Sequence, residues 1–217
     1  MKRLMLSDLE RFNVLDARSG RVVKGHDQEW YPSWWRRVAG CGPTTASNIV
    51  RYQELGLLGE GCWERADAVR LMNAIWKHLT PRKGGVSSAG MFREGAEGYA
   101  AAMGARLRAE CLDVPEARPL RPSPETVVKF VAAGLGEDRP IAFLNLHNGS
   151  ELQLDRWHWV TIVAMEHEDD FSAAQVDVLD NCRFIRLSLT GWLATTARGG
   201  GFVGLSFSGF PPMPPCP

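Results

Sequence analysis

The run Gly40-Cys41-Gly42-Pro43-Thr44 opens a segment in which Ala46, Ile49, Val50 and Leu57 recur at helical spacing. That spacing predicts an amphipathic helix to about Gly56, with one apolar stripe turned to a core. Pro43 suits the first helical turn, where its missing N–H removes no hydrogen bond. The first N–H groups of a helix have no intrahelical acceptor, and the macrodipole favours negative charge beside them. A cysteine placed there is favoured as a thiolate, the nucleophilic form of the residue. Cys41 is therefore the first candidate catalytic residue. The plain alternative is a small buried thiol in a turn, because free cysteine is a common core residue.

The 217 residues are enough for one sizeable core, and the chain reads as a single domain over 1–217. Within it, residues 1–29 read as an N-terminal extension and 211–217 as a loose proline-rich tail. The 25 basic residues balance 25 acidic ones, which argues against a nucleic-acid partner. The one acidic cluster, Glu166-His167-Glu168-Asp169-Asp170, fits a solvated hairpin tip between two strands. Five cysteines at irregular spacing form no C-x-x-C pair, so no metal or other cofactor is expected. An odd cysteine count without such pairs suits a reduced, cytoplasmic protein. Met1-Lys2-Arg3-Leu4-Met5-Leu6 lacks the apolar core of a signal peptide, and no run is long enough to span a bilayer, so no membrane partner is expected. Nothing in the sequence sets an oligomeric state.

Along the chain, Ser7 and Glu10 have capping-box spacing and predict a short helix to Leu15. A short strand is expected around Arg21-Val22-Val23. Trp30, Tyr31, Trp34 and Trp35 crowd the approach to Cys41, either as a substrate-facing wall or as packing of an irregular loop. Helices follow over Glu64–Leu79, from Ser87 or Ser88 to Met103, and from Pro124 to about Leu135, with a strand at Arg106–Leu112. From Pro140 the pattern changes to strands: Ile141–Leu146, Trp157–Met165, Gln175–Leu179, Phe184–Leu187 and Gly201–Phe207, with a short helix at 188–196. Helices first and an antiparallel sheet afterwards define an α+β domain.

A cysteine nucleophile needs a base, and the base usually has an orienting partner. Of the five histidines, His78 ends a helix, His26 lies in a charged loop, His147 is in a turn and His167 is in the acidic cluster. His158 instead opens the strand Trp157-His158-Trp159-Val160-Thr161-Ile162-Val163, and the next strand ends in Asp180-Asn181. In an antiparallel hairpin the start of one strand faces the end of the next. Residue 158 is thus placed near 180 or 181, where an acid or amide can fix the tautomer of a histidine.

Cys41-Gly42-Pro43, then His158-Trp159-Val160, then Asp180 resembles the papain-like cysteine peptidases of the C39-like group. The resemblance runs through most of the chain in element order and rests on these three short motifs. It implies a papain-like fold, with N-terminal helices packed on a C-terminal antiparallel sheet. It also implies a thiol hydrolase that cleaves a peptide or small amide through an acyl-enzyme on Cys41. His158 would be the general acid/base and Asp180 the orienting group, with Asn181 as the alternative third member.

Two positions depart from that pattern. The family's glutamine about six residues before the cysteine is replaced by Trp35, and Gln28 lies thirteen positions upstream. Either Gln28 reaches in through the loop, or the Trp35 indole N–H donates to the oxyanion, or the hole is incomplete. Trp34, Trp157 and Trp159 are the expected substrate-groove residues. An acyltransferase with the same three residues, and a catalytically silent peptide-binding domain, are the competing readings.

Overall fold

Residues 141–208 return on themselves in short antiparallel steps and build the centre of a seven-stranded sheet. The computed structural model describes residues 1–58 and 63–209, and of 55–58 the backbone alone. Expectations for the Leu57 side chain, Cys62, Cys216 and the 211–217 tail therefore lie outside what is described. The strands are β1 (Lys2–Met5), β2 (Asn13–Asp16), β3 (Arg21–Lys24), β4 (Arg106–Val114), β5 (Ile141–Asn145), β6 (His158–His167), β7 (Ala174–Asp180), β8 (Arg183–Ser188) and β9 (Gly200–Ser208). The main sheet has the order β4-β9-β5-β6-β7-β8, and β2 and β3 form a separate hairpin. Strand β6 is its longest central member: β5 pairs with its first half and β1 with its second, end to end along one side.

Alternation along the strands sends side chains to two cores. Ile141, Phe143, Val160 and Ile162 face one side, where they meet α5 (Pro124–Gly136) and α6 (Leu189–Thr195). Ala142, Leu144 and Trp159 face the other, under α2 (Cys41–Leu58), α3 (Arg65–Trp76) and α4 (Ala89–Ala102). The stripe of α2 reads as the spacing demands: Ala46, Ile49 and Val50 are buried against this second core. Each large aliphatic side chain so buried contributes roughly 1.5–3 kcal/mol. Caps fix the helix starts: Ser88 Oγ accepts from the Met91 N–H and Ser123 Oγ from Thr126 N–H, with Pro124 in the first turn.

The first thirty residues differ from the expectation. In place of a helix from Ser7 to Leu15 there is one 3-10 turn, Leu9–Phe12, capped by Asp8, and then β2. Ser7 does not cap: its N–H and hydroxyl donate to the Asp138 carboxylate at 2.7 and 2.8 Å. Phe12 and Val14 are the buried positions, and a spacing of two suits a strand, not a helix. Residues 1–29 are also woven into the architecture, through β1 on β6 and through the buried Leu6. The acidic stretch after Glu166 is met by Met1, Lys2, Arg3 and Arg186. Among the described residues, no helix is long and apolar enough to cross a membrane.

Candidate active site

A short helix α1 (Trp34–Ala39) runs into α2 with only Gly40 between them. A Cβ on Gly40 would stand 2.3 Å from the Arg36 carbonyl oxygen and 2.6 Å from the Tyr31 ring. One on Gly42 would stand 2.9 Å from Val86 Cγ2. Glycine at both positions therefore lets Tyr31 and Val86 close on either side of Cys41, which keeps only 8% of its surface exposed. The thiol lies at the N-terminus of an 18-residue helix, where unpaired N–H groups and the helix dipole favour an anion.

His158 is the first residue of β6, and Trp157 before it has φ +58°. A bulky residue takes that conformation at a cost of roughly 1–2 kcal/mol, which the surrounding contacts must offset. His158 Nε2 lies 2.7 Å from Asp180 Oδ1, and the Cys41 thiol donates at 4.0 Å to the carbonyl of Trp157, the residue before His158. With Nε2 taken by Asp180, Nδ1 is the nitrogen left for sulfur. Burial alone would push the imidazole down. The hydrogen bond to Asp180 and the proximity of Cys41 outweigh it and push His158 up to about 10.

Asp180 closes β7, and Asn181 and Cys182 make the two-residue turn into β8 with φ values of +42° and +63°. Positive φ at both central residues is the hairpin turn that matches strand twist. Asn181 is thus spent on the turn, and its Oδ1 accepts the Gln28 N–H at 3.2 Å. It is Asp180 whose carboxylate meets His158.

Gln28 borders a small polar chamber behind Cys41, with a free volume of 10 Å³, shared with His158 and Asp180. On its other side Cys41 opens to an apolar cleft of 290 Å³, walled by Trp35, Val38, Val86, Leu146 and Trp157. Trp35 and Trp157 are half-exposed on its rim. Trp34 is 69% exposed and lies outside the cleft. Trp159 corrects the groove expectation: it is 2% exposed, stacked on Phe92 at 4.4 Å, with its indole N–H donated to the Val86 carbonyl. Strand alternation turns it beneath α4, opposite in sense to its neighbours.

The sequence reading passed over His26, which is not a solvated loop residue but is 1% exposed, on α2 and beside the chamber. Its only local signal is Gly25, whose φ of +74° turns the chain inward after β3. Val38, Val86 and Leu146 carry no chemical signature and become site residues only through the fold. Among the described residues no cluster of three His, Cys, Asp or Glu side chains is arranged to hold a metal ion.

No protein-family model matches this chain, and no curated protein matches it. Among solved structures it is similar to UfSP from C. elegans, with a TM-score of 0.51 at 10% identity, over 96% of this chain and 34% of that one. The likeness is one of fold, a mixed arrangement of helices and an antiparallel sheet. The chain spans about a third of the length of that neighbour, 34%.

Proposed function

We propose that the protein is a papain-like thiol hydrolase, of the C39-like type, that cleaves a peptide or small amide bond. The observation that carries this reading is the Asp180–His158 hydrogen bond beside the Cys41 thiol at a helix start, with all three residues bordering one chamber. In this scheme the Cys41 thiolate attacks the carbonyl carbon, forming an S–C bond while the π electrons move to oxygen. The Cys41 N–H, one of the unpaired amides of the first turn, is placed to receive that oxyanion. Gln28, brought beside Cys41 by the loop that Asn181 tethers, supplies the second donor. Trp35 lines the apolar side and is the weaker candidate for that part.

Collapse of the intermediate breaks the C–N bond, and His158-H⁺ gives its proton to the leaving amine. Water then attacks the thioester with His158 as base, releasing the acid and restoring the thiolate. Asp180 holds the ring with Nδ1 toward sulfur and stabilises its charged form. The uncharged cleft beside Cys41 favours substrates with apolar groups near the scissile bond. Cys41, Cys111 and Cys182 are all free thiols, which supports a reducing location such as the cytoplasm.

The test is acylation by p-nitrophenyl acetate, followed by intact-mass and peptide mapping. One acetyl group on Cys41 that turns over in wild type, and does not form in His158→Ala, is the expected result. Acetylation spread over Cys111 and Cys182 at equal rate would overturn the proposal.

A further inference from the structure

The Nδ1 atom of His26 lies 2.7 Å from Ser47 Oγ, and that hydroxyl donates to the Thr44 carbonyl at 2.7 Å. A hydroxyl has one proton to give. With it committed to Thr44, Ser47 Oγ accepts from His26 Nδ1–H, so the tautomer is set and Nε2 carries a bare lone pair. The His26 backbone N–H is tied to Asn48 Oδ1 at 2.8 Å, which fixes ring and backbone alike on α2.

His26 Nε2 is buried without a partner, and so is Gln28 Oε1. Both residues border the chamber behind Cys41, together with Thr44. Two acceptors bordering one small space can share a donor, and a free volume of 10 Å³ is about that of one water, which requires on the order of 10–15 Å³. A water has two protons, one for each acceptor. Burial and the nearby Arg51 charge hold His26 down to about 3, so its lone pair persists across neutral pH.

We propose that His26 is a positioning residue for the oxyanion donor: through one shared water it holds Gln28 Oε1 inward and so turns the Gln28 NH₂ group toward Cys41. The inference rests on the reading of Gln28 as oxyanion donor given above. His26 touches no reacting atom. It acts on the amide's orientation, which an isolated glutamine side chain would not keep.

Two probes of Cys41 separate this role from a structural one. Alkylation by iodoacetamide needs the thiolate and forms no oxyanion, whereas acylation by p-nitrophenyl acetate passes through one. His26→Asn keeps a donor for Ser47 but puts no acceptor in the chamber; His26→Gln places a carbonyl oxygen where Nε2 lies. In the full chain, His26→Asn is expected to slow acylation about 10- to 100-fold while alkylation changes by less than about twofold. His26→Gln is expected to retain acylation within about threefold. Equal acylation losses in both variants, no loss in His26→Asn, or a parallel loss of alkylation would overturn the proposal. Should either variant fail to fold, ¹⁵N NMR of wild type decides: the account requires His26 protonated at Nδ1 and an NOE from the Gln28 amide to a bound water. A proton on Nε2, or a direct Gln28 N–H bond to it, would contradict it. If wild-type Cys41 is not acylated at all, the hydrolase reading fails, and the NMR result still judges His26.

Discussion

The Nε2 atom of His158 lies 2.7 Å from Oδ1 of Asp180, joining the first residue of β6 to the last residue of β7. Both side chains are almost wholly buried, so water screens the bond little. This bond, together with the nearby Cys41, outweighs burial and pushes His158 up to about 10.

A pH dependence follows. The His158 pKa is raised above its ordinary 6.5, so its contribution to stability is fully present below that value and is lost as pH rises through about 10. The same proton is needed by the leaving amine, so amide hydrolysis falls over the same alkaline range. Asp180→Asn removes a negative charge that opposes the effect of burial, so the alkaline limb is expected to move down by about 1–3 pH units. A pH–rate profile of both proteins checks this; a limb that stays in place would show that Asp180 does not set the imidazole.

Asp180 and Asn181 are adjacent but do different work. Asp180→Ala is expected to lower the acylation rate about 10²- to 10⁴-fold, because the ring loses its orienting partner. Asn181→Ala is expected to lower stability by about 1–2 kcal/mol, through the lost bond to the Gln28 N–H and an alanine at positive φ. Its acylation rate should fall by less than about tenfold. Stopped-flow acylation and urea unfolding measure the two effects, and the reverse ranking of rates would give Asn181 the third role.

The tryptophans divide in the same way. Trp159→Ala, which empties a site against Phe92, should cost about 3–5 kcal/mol in urea unfolding. Trp34→Ala should stay within about 0.5 kcal/mol of wild type, because the ring is exposed and outside the cleft. Trp35→Ala is expected to raise KM for esters with apolar acyl groups while unfolding hardly changes. An unchanged KM would remove Trp35 from the substrate wall.

Much of this fold is legible in residue spacing. The stripe of Ala46, Ile49 and Val50, the serine caps at 88 and 123, and the alternation from Ile141 onward each place their element within a few residues. Ser7 and Glu10 mislead because capping-box spacing is a local preference of modest energy, whereas Asp138 offers Ser7 two hydrogen bonds and β3 offers Asn13–Asp16 a partner. Cys41, His158 and Asp180 stand out because their chemistry is rare at a helix start or a strand end. His26 does not, since its burial depends on Ser47 and Asn48 from α2, contacts no window around residue 26 contains. Trp159 falls outside the groove because the side-chain period of two turns it to the face opposite its neighbour His158.

The most direct test of the central claim is competitive alkylation with limiting iodoacetamide at neutral pH, read by peptide mapping of the cysteines. The account predicts that Cys41 is modified well ahead of Cys111 and Cys182, whose thiols burial pushes up, in the case of Cys182 to about 12. It predicts that His158→Ala abolishes this preference. Modification of Cys41 at the rate of the other cysteines in wild type, or a preference that survives His158→Ala, would contradict an activated Cys41–His158 pair.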